Sequence, residues 1–125
     1  MNSDKFSPRS RFRSFKFAFR GLRSLLKFEH NSRIHLFAAV IVIILGFIFK
    51  ISLVEWCLLI IVIGLVFLSE LINSSLETIS DVVKPEWNEQ IMRAKDYAAA
   101  AVLFSSIISV CIGGLIFLPR LLQLF

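Results

Sequence analysis

The chain has 125 residues, 57% of them hydrophobic, with a mean hydropathy of +0.78 and a formal net charge of +5. So much apolar surface exceeds what a soluble domain of this length can bury, which leaves a polytopic helical membrane protein. A cleaved secretory signal is also excluded as a reading, because the basic N-terminal region is interrupted by charge as far as Arg33 and has no uninterrupted apolar core.

Residues 1–10 (MNSDKFSPRS) are polar and are expected to be disordered. In residues 11–28, Phe12, Phe15, Phe19, Leu22 and Leu26 share one helical face, while Lys16, Arg20, Arg23 and Lys27 share another. Aromatics interleaved with cations also occur in nucleic-acid binders. Helical periodicity beside membrane spans instead predicts a basic amphipathic helix in the headgroup plane, with no nucleic-acid partner. EHNSR (29–33) is expected to end that helix with a turn. A first transmembrane span follows at 34–49, and Gly46, Lys50 and Ser52 make a tight reversal.

A second span is expected at 51–72, continuing as helix to about residue 83, with Glu55 and Trp56 as interfacial residues. Pro85 should break that helix, giving a loop over 82–96 with a new helix starting near residue 90. A third span covers 97–118 and is closed by Pro119. Each span approaches or reaches the ~20 residues that cross a ~30 Å hydrocarbon core. Cys57 and Cys111 lie in apolar spans without metal-ligand spacing and read as small core residues. Nine of the 14 Lys and Arg precede residue 34 and three more lie in the 82–96 loop, whereas Lys50 and Arg120 mark the other side. The positive-inside rule then places the N-terminus and that loop in the cytoplasm, with the C-terminus outside.

The stretch SELINSSLETISD (69–81) stands out against this background. Glu70, Asn73 and Glu77 fall on one helical stripe, with Asp81 on the same line. At 1.5 Å per residue, Glu70 lies ~10 Å deeper toward the membrane than Glu77. A carboxylate at such depth costs at least ~2.5 kcal/mol, so it is retained for pairing, cation binding or proton transfer. Glu29 stands at the end of the amphipathic helix, and Lys95 and Asp96 stand at the start of span three, all toward the same interface. Together, Glu29, Glu77, Lys95 and Asp96, with Glu70 and Asn73 just below, suit Mg2+ and a polyphosphate such as ATP. Mg2+ takes one or two carboxylates plus substrate oxygens, and lysine neutralises further phosphate charge. A desolvated glutamate suits a base that accepts a proton from a lipid alcohol. Two other readings of the stripe stay open: interhelical hydrogen bonding, and a relay in a small ion- or proton-translocating membrane protein.

ELINSSLETISD closely resembles the signature of the prokaryotic diacylglycerol kinase family, and GLR (21–23), the following glutamate and RAKD (93–96) extend the resemblance. One departure is Ser80, where the family pattern is apolar. The resemblance implies an all-α integral membrane enzyme of the bacterial inner membrane. Each subunit has an N-terminal amphipathic surface helix and three transmembrane helices, and the active sites lie between subunits of a homotrimer. It implies Glu70 as catalytic base, Asn73 as its polar partner, Glu29 and Glu77 as ligands of Mg2+, and Lys95 and Asp96 as nucleotide contacts. The acceptor is then a lipid alcohol, diacylglycerol or undecaprenol. NSRIH (31–35) and EW (55–56) look more like the undecaprenol branch. His35 reads first as a snorkelling interfacial imidazole and second as a substrate-selecting one, and His30 reads as solvated.

Overall fold

The computed structural model describes residues 7–83 and 86–125. They form α1 (Pro8–Phe28), α2 (His30–Phe49), α3 (Leu53–Val83) and α4 (Glu89–Leu122), with no strand among the described residues. The last three are long and apolar enough to cross a membrane. The fold class is therefore an N-terminal helix followed by three transmembrane helices.

Local signals explain the ends. Ser7 caps α1 by accepting from the Ser10 N–H, with Pro8 in the first turn, where its missing N–H costs nothing. The helix thus begins inside the 1–10 stretch expected to be disordered; residues 1–6 lie outside the described residues. The 29–33 turn shrinks to one non-helical residue, Glu29 (φ −105°, ψ 110°), because His30–Arg33 already belong to α2. Lys50 ends α2 in the left-handed region (φ 51°). Ser52 and Glu55 then make a reciprocal capping box: the Ser52 N–H donates to Glu55 Oε1 at 2.9 Å and the Glu55 N–H to Ser52 Oγ at 3.2 Å. Asn88 caps α4, accepting from the Gln90 and Ile91 N–H groups. The expectation for Pro85 lies outside the described residues. Pro119 does not close the last span: α4 continues to Leu122, since a proline so near the end removes a single backbone bond.

Helix lengths set the geometry. At 1.5 Å per residue, α2 is about 30 Å long, while α3 and α4 are about 46 and 51 Å. The first matches the hydrocarbon core; the others overshoot it. α3 and α4 form the most extensive helix pair. With α2 they enclose an apolar cluster of Ile51, Leu59, Ile116 and Phe117, supported by Val42, Leu45, Phe49, Trp56, Ile63 and Ile112. This cluster lies toward the α2–α3 turn, and Gly46 permits it: a Cβ there would come within 2.6 Å of the Trp56 ring. At the same end Arg120 grips Glu55 with two bonds of 2.7 and 2.8 Å, so Glu55 is a partner in a clamp between α3 and α4 as well as an interfacial residue.

One sequence expectation changes here. Cys57 and Cys111 are exposed on the outside of the bundle, where apolar side chains meet lipid or another subunit. An apolar span alone does not tell an inward face from a lipid-facing one. On α1, Leu25 is buried, and a groove between α1 and α3 is lined by Gly21, Leu25, Glu29, Ser74 and Thr78 among others. The Phe12, Phe15 and Phe19 stripe is turned away from this bundle, at 77, 65 and 67% exposure, and remains free for a lipid surface.

Candidate active site

The buried stripe of α3 runs Leu59, Val62, Val66 and Glu70. Their spacing of i, i+3, i+7 and i+11 puts the carboxylate where a fourth apolar residue belongs. Glu70 is about 26 Å along α3, just inside a ~30 Å core, and Glu77 about 36 Å along, beyond it. Within this polar stretch the Thr78 hydroxyl finds its partner on the helix itself, donating to the Ser74 carbonyl at 2.8 Å.

Glu70 is 3% exposed, and its Oε1 has the His35 Nε2 at 3.3 Å. That is ion-pair distance without the alignment of a full hydrogen bond, so Oε1 has no hydrogen-bond partner among the described residues. Glu29 and Glu77 lie within electrostatic reach of the same carboxyl. Glu29 is placed by the α1–α2 hinge, its own N–H donating to the Leu25 carbonyl. Both glutamates are half-buried, and neither has an ion-pair partner among the described residues. Three of the predicted residues, Glu70, Glu77 and Glu29, thus come together with His35, whose snorkelling reading is corrected: its ring turns to Glu70.

Polar atoms without partners gather at this end. Besides Glu70 Oε1 they are Ser32 Oγ, Asn73 Oδ1 and Ser74 Oγ. A buried polar atom left unpaired costs about 1–3 kcal/mol, so four together mark a place that gains by receiving a hydroxyl, water or further protein. Lys95 forms a 3.1 Å ion pair with Asp81, tying the overshooting ends of α3 and α4, and Asp96 beside it is exposed. Neither touches Glu70 within this chain. The sequence did not pair Asp81 with Lys95, because they lie on separate helices.

No group of three or more His, Cys, Asp or Glu among the described residues is arranged to hold a metal alone. Two carboxylates with no ion-pair partner among the described residues, within electrostatic reach of a third, leave uncompensated negative charge, which fits a hard divalent cation completing its shell from a ligand's oxygens. Beyond Glu70, the stripe toward the opposite end offers only Val66, Val62 and Leu59, and the apolar cluster closes the bundle there. A proton or ion relay is not favoured by this layout.

From His35 an apolar crevice of about 70 Å³ leads into the bundle, bounded by Ala38, Ala39 and Val42 of α2 and by Val62, Ile63 and Val66 of α3 among others.

Residues 16–117 match the family model described as prokaryotic diacylglycerol kinase. The undecaprenol kinase of Bacillus subtilis is 39% identical over 110 residues, spanning 88% of this chain and 89% of that protein. The diacylglycerol kinase of Synechocystis sp. is 36% identical over 112 residues, 89% of this chain and 64% of that protein. That of Haemophilus influenzae is 36% identical over 105 residues, 83% of this chain and 89% of that protein. With three membrane-length helices and carboxylates gathered at one end of the bundle, this multi-pass membrane protein belongs to the prokaryotic diacylglycerol kinase family and is a lipid kinase.

Proposed function

We propose that the protein transfers the γ-phosphate of ATP to the hydroxyl of undecaprenol, at the cytoplasmic face of the bacterial inner membrane. The observation that carries this reading is the Glu70 carboxylate, buried just inside the membrane boundary beside two unpaired glutamates at the water-facing end. The lipid hydroxyl approaches from the hydrocarbon and the polyphosphate from water. Glu70 takes the hydroxyl proton as the alcohol oxygen forms its bond to phosphorus and the bond to the departing ADP breaks. Asn73, one turn nearer the water, orients the hydroxyl by donating from its side-chain amide N–H2 to the alcohol oxygen. Glu29 and Glu77 would hold Mg2+, which when bound neutralises phosphate charge. Lys95 and Asp96, at the start of α4, contact the nucleotide.

Undecaprenol is favoured over diacylglycerol by the NSRIH segment and the Bacillus subtilis relative. The residues proposed for the nucleotide are not all gathered by a single chain, which supports completion of each site between subunits of a homotrimer. Purified protein given labelled ATP, Mg2+ and either lipid should transfer label to undecaprenol faster than to diacylglycerol, and only with the metal. Failure to label either lipid would overturn the reaction; faster labelling of diacylglycerol would overturn the acceptor.

A further inference from the structure

We propose that His35 is a positioning residue for the base: its Nε2 holds Glu70 Oε1 so that the other carboxylate oxygen faces the acceptor hydroxyl. The proposal rests on the kinase reading and on Glu70 as its base. Three observations carry it.

The first is the partner count. Oε1 has His35 at 3.3 Å and no other side chain at ion-pair or hydrogen-bond distance among the described residues. The other charges reaching Glu70 come from Glu29 and Glu77, both acidic, so His35 is the one ionisable group among the described residues there that can donate to the carboxylate, and no hydroxyl or amide of Ser32, Asn73 or Ser74 bonds Oε1. A buried carboxylate facing two acids and lacking a donor would turn toward water.

The second is rigidity. His35 projects from the second turn of α2, one turn after Ser32, which is fully buried. Its side chain is itself 26% exposed, with Nε2 3.3 Å from the buried Glu70 carboxylate. A helix-mounted ring gives the carboxylate a fixed neighbour, and small misplacements of a reacting group are costly.

The third is continuity with the crevice. His35 forms its polar end, with Ala38, Ala39 and Val42 following along α2. An alcohol whose first carbons enter the crevice brings its hydroxyl to the His35–Glu70 pair. The same ring therefore shapes the acceptor's approach and orients the base. A long, poorly aligned contact is the usual state of such a pair before substrate tightens it.

The test is a double-mutant cycle in turnover. His35→Leu and His35→Asn are measured in the native background and in Glu70→Gln, with His35→Gln as the variant whose amide nitrogen reaches about as far as Nε2. In the native background, Leu and Asn should each lower kcat by about 10-fold or more with KM for MgATP unchanged, and Gln should restore most of the loss. In Glu70→Gln, the same substitutions should cost less than about 2-fold further, because the residue acts through a base no longer present. Equal losses in both backgrounds, no advantage of Gln over Asn, or an effect confined to KM for MgATP would overturn the role of His35. If the Leu variant does not assemble, the Asn and Gln pair decides. A native protein that phosphorylates neither lipid overturns the kinase reading and this proposal with it.

Discussion

Glu70 occupies the fourth position of a buried stripe whose other members are Leu59, Val62 and Val66, and a leucine there would pack without penalty. Its retention at 3% exposure costs stability, which is expected of a reacting group rather than a packing one. Glu70→Gln keeps the shape and the hydrogen-bonding capacity but loses the proton affinity. Turnover should fall by roughly 10²-fold or more, while MgATP binding and assembly persist and the thermal midpoint holds or rises. A near-normal rate in folded Glu70→Gln protein would remove the base assignment. Glu29→Gln and Glu77→Gln each withdraw one hard oxygen charge from a site with surplus negative charge. Nucleotide titration at fixed Mg2+ should show weaker binding in both, with the apo protein no less stable; unchanged affinity in either one would take that residue out of the metal site.

At the scale of elements, the two ends of the bundle are built oppositely. The end with the α2–α3 turn is closed by the capping box of Ser52 and Glu55, the Glu55–Arg120 clamp and the apolar cluster around Leu59 and Phe117. The other end carries unpaired oxygens and two helices that overshoot the hydrocarbon. Perturbing the closed end should therefore change stability and spare chemistry. Gly46→Val pushes a branched side chain into the Trp56 ring and Ile51, and should lower stability by about 1–3 kcal/mol with turnover per folded molecule retained. Arg120→Met removes the clamp on Glu55 and should lower the thermal midpoint in detergent, again without loss of turnover. Melting curves and activity on the same preparations check both.

For the whole molecule, the proposed reaction requires the polar end to face the compartment that holds ATP. The basic stretch of α1 and the cations Arg93 and Lys95 in the first turns of α4 lie at that end, whereas Lys50 and Arg120 lie at the closed one. A reporter fused after Phe125 should be active outside the cytoplasm, and one fused before Met1 inside it. A C-terminal reporter active only in the cytoplasm would reverse the orientation and overturn the proposed contact of Glu77 and Lys95 with ATP. The exposed Phe12, Phe15 and Phe19 stripe beside Lys16, Arg20 and Arg23 gives the same end a surface suited to an anionic leaflet.

Three lipid-length helices, the amphipathic helix before them and the polar stripe from Glu70 to Asp81 were legible in the sequence, because hydropathy and helical periodicity are properties of neighbouring residues. So was the gathering of Glu29 and Glu77 toward Glu70, through helix ends that fall at one interface. Contacts between helices were not legible. Which face of an apolar span turns inward depends on its partners, so Cys57 and Cys111, read as core, lie outside. His35 and Glu70 are 35 positions apart, Glu55 and Arg120 are 65, and nothing local announces that either pair meets. The α1–α2 hinge narrowed to Glu29 alone because helix continuation, and not the turn propensity of EHNSR, won at His30. Sequence thus determined how deep each charged residue sits along its own helix, by 1.5 Å per residue; tertiary packing decided which partner it meets there, because helix rotation and tilt are set by the surfaces that pack together.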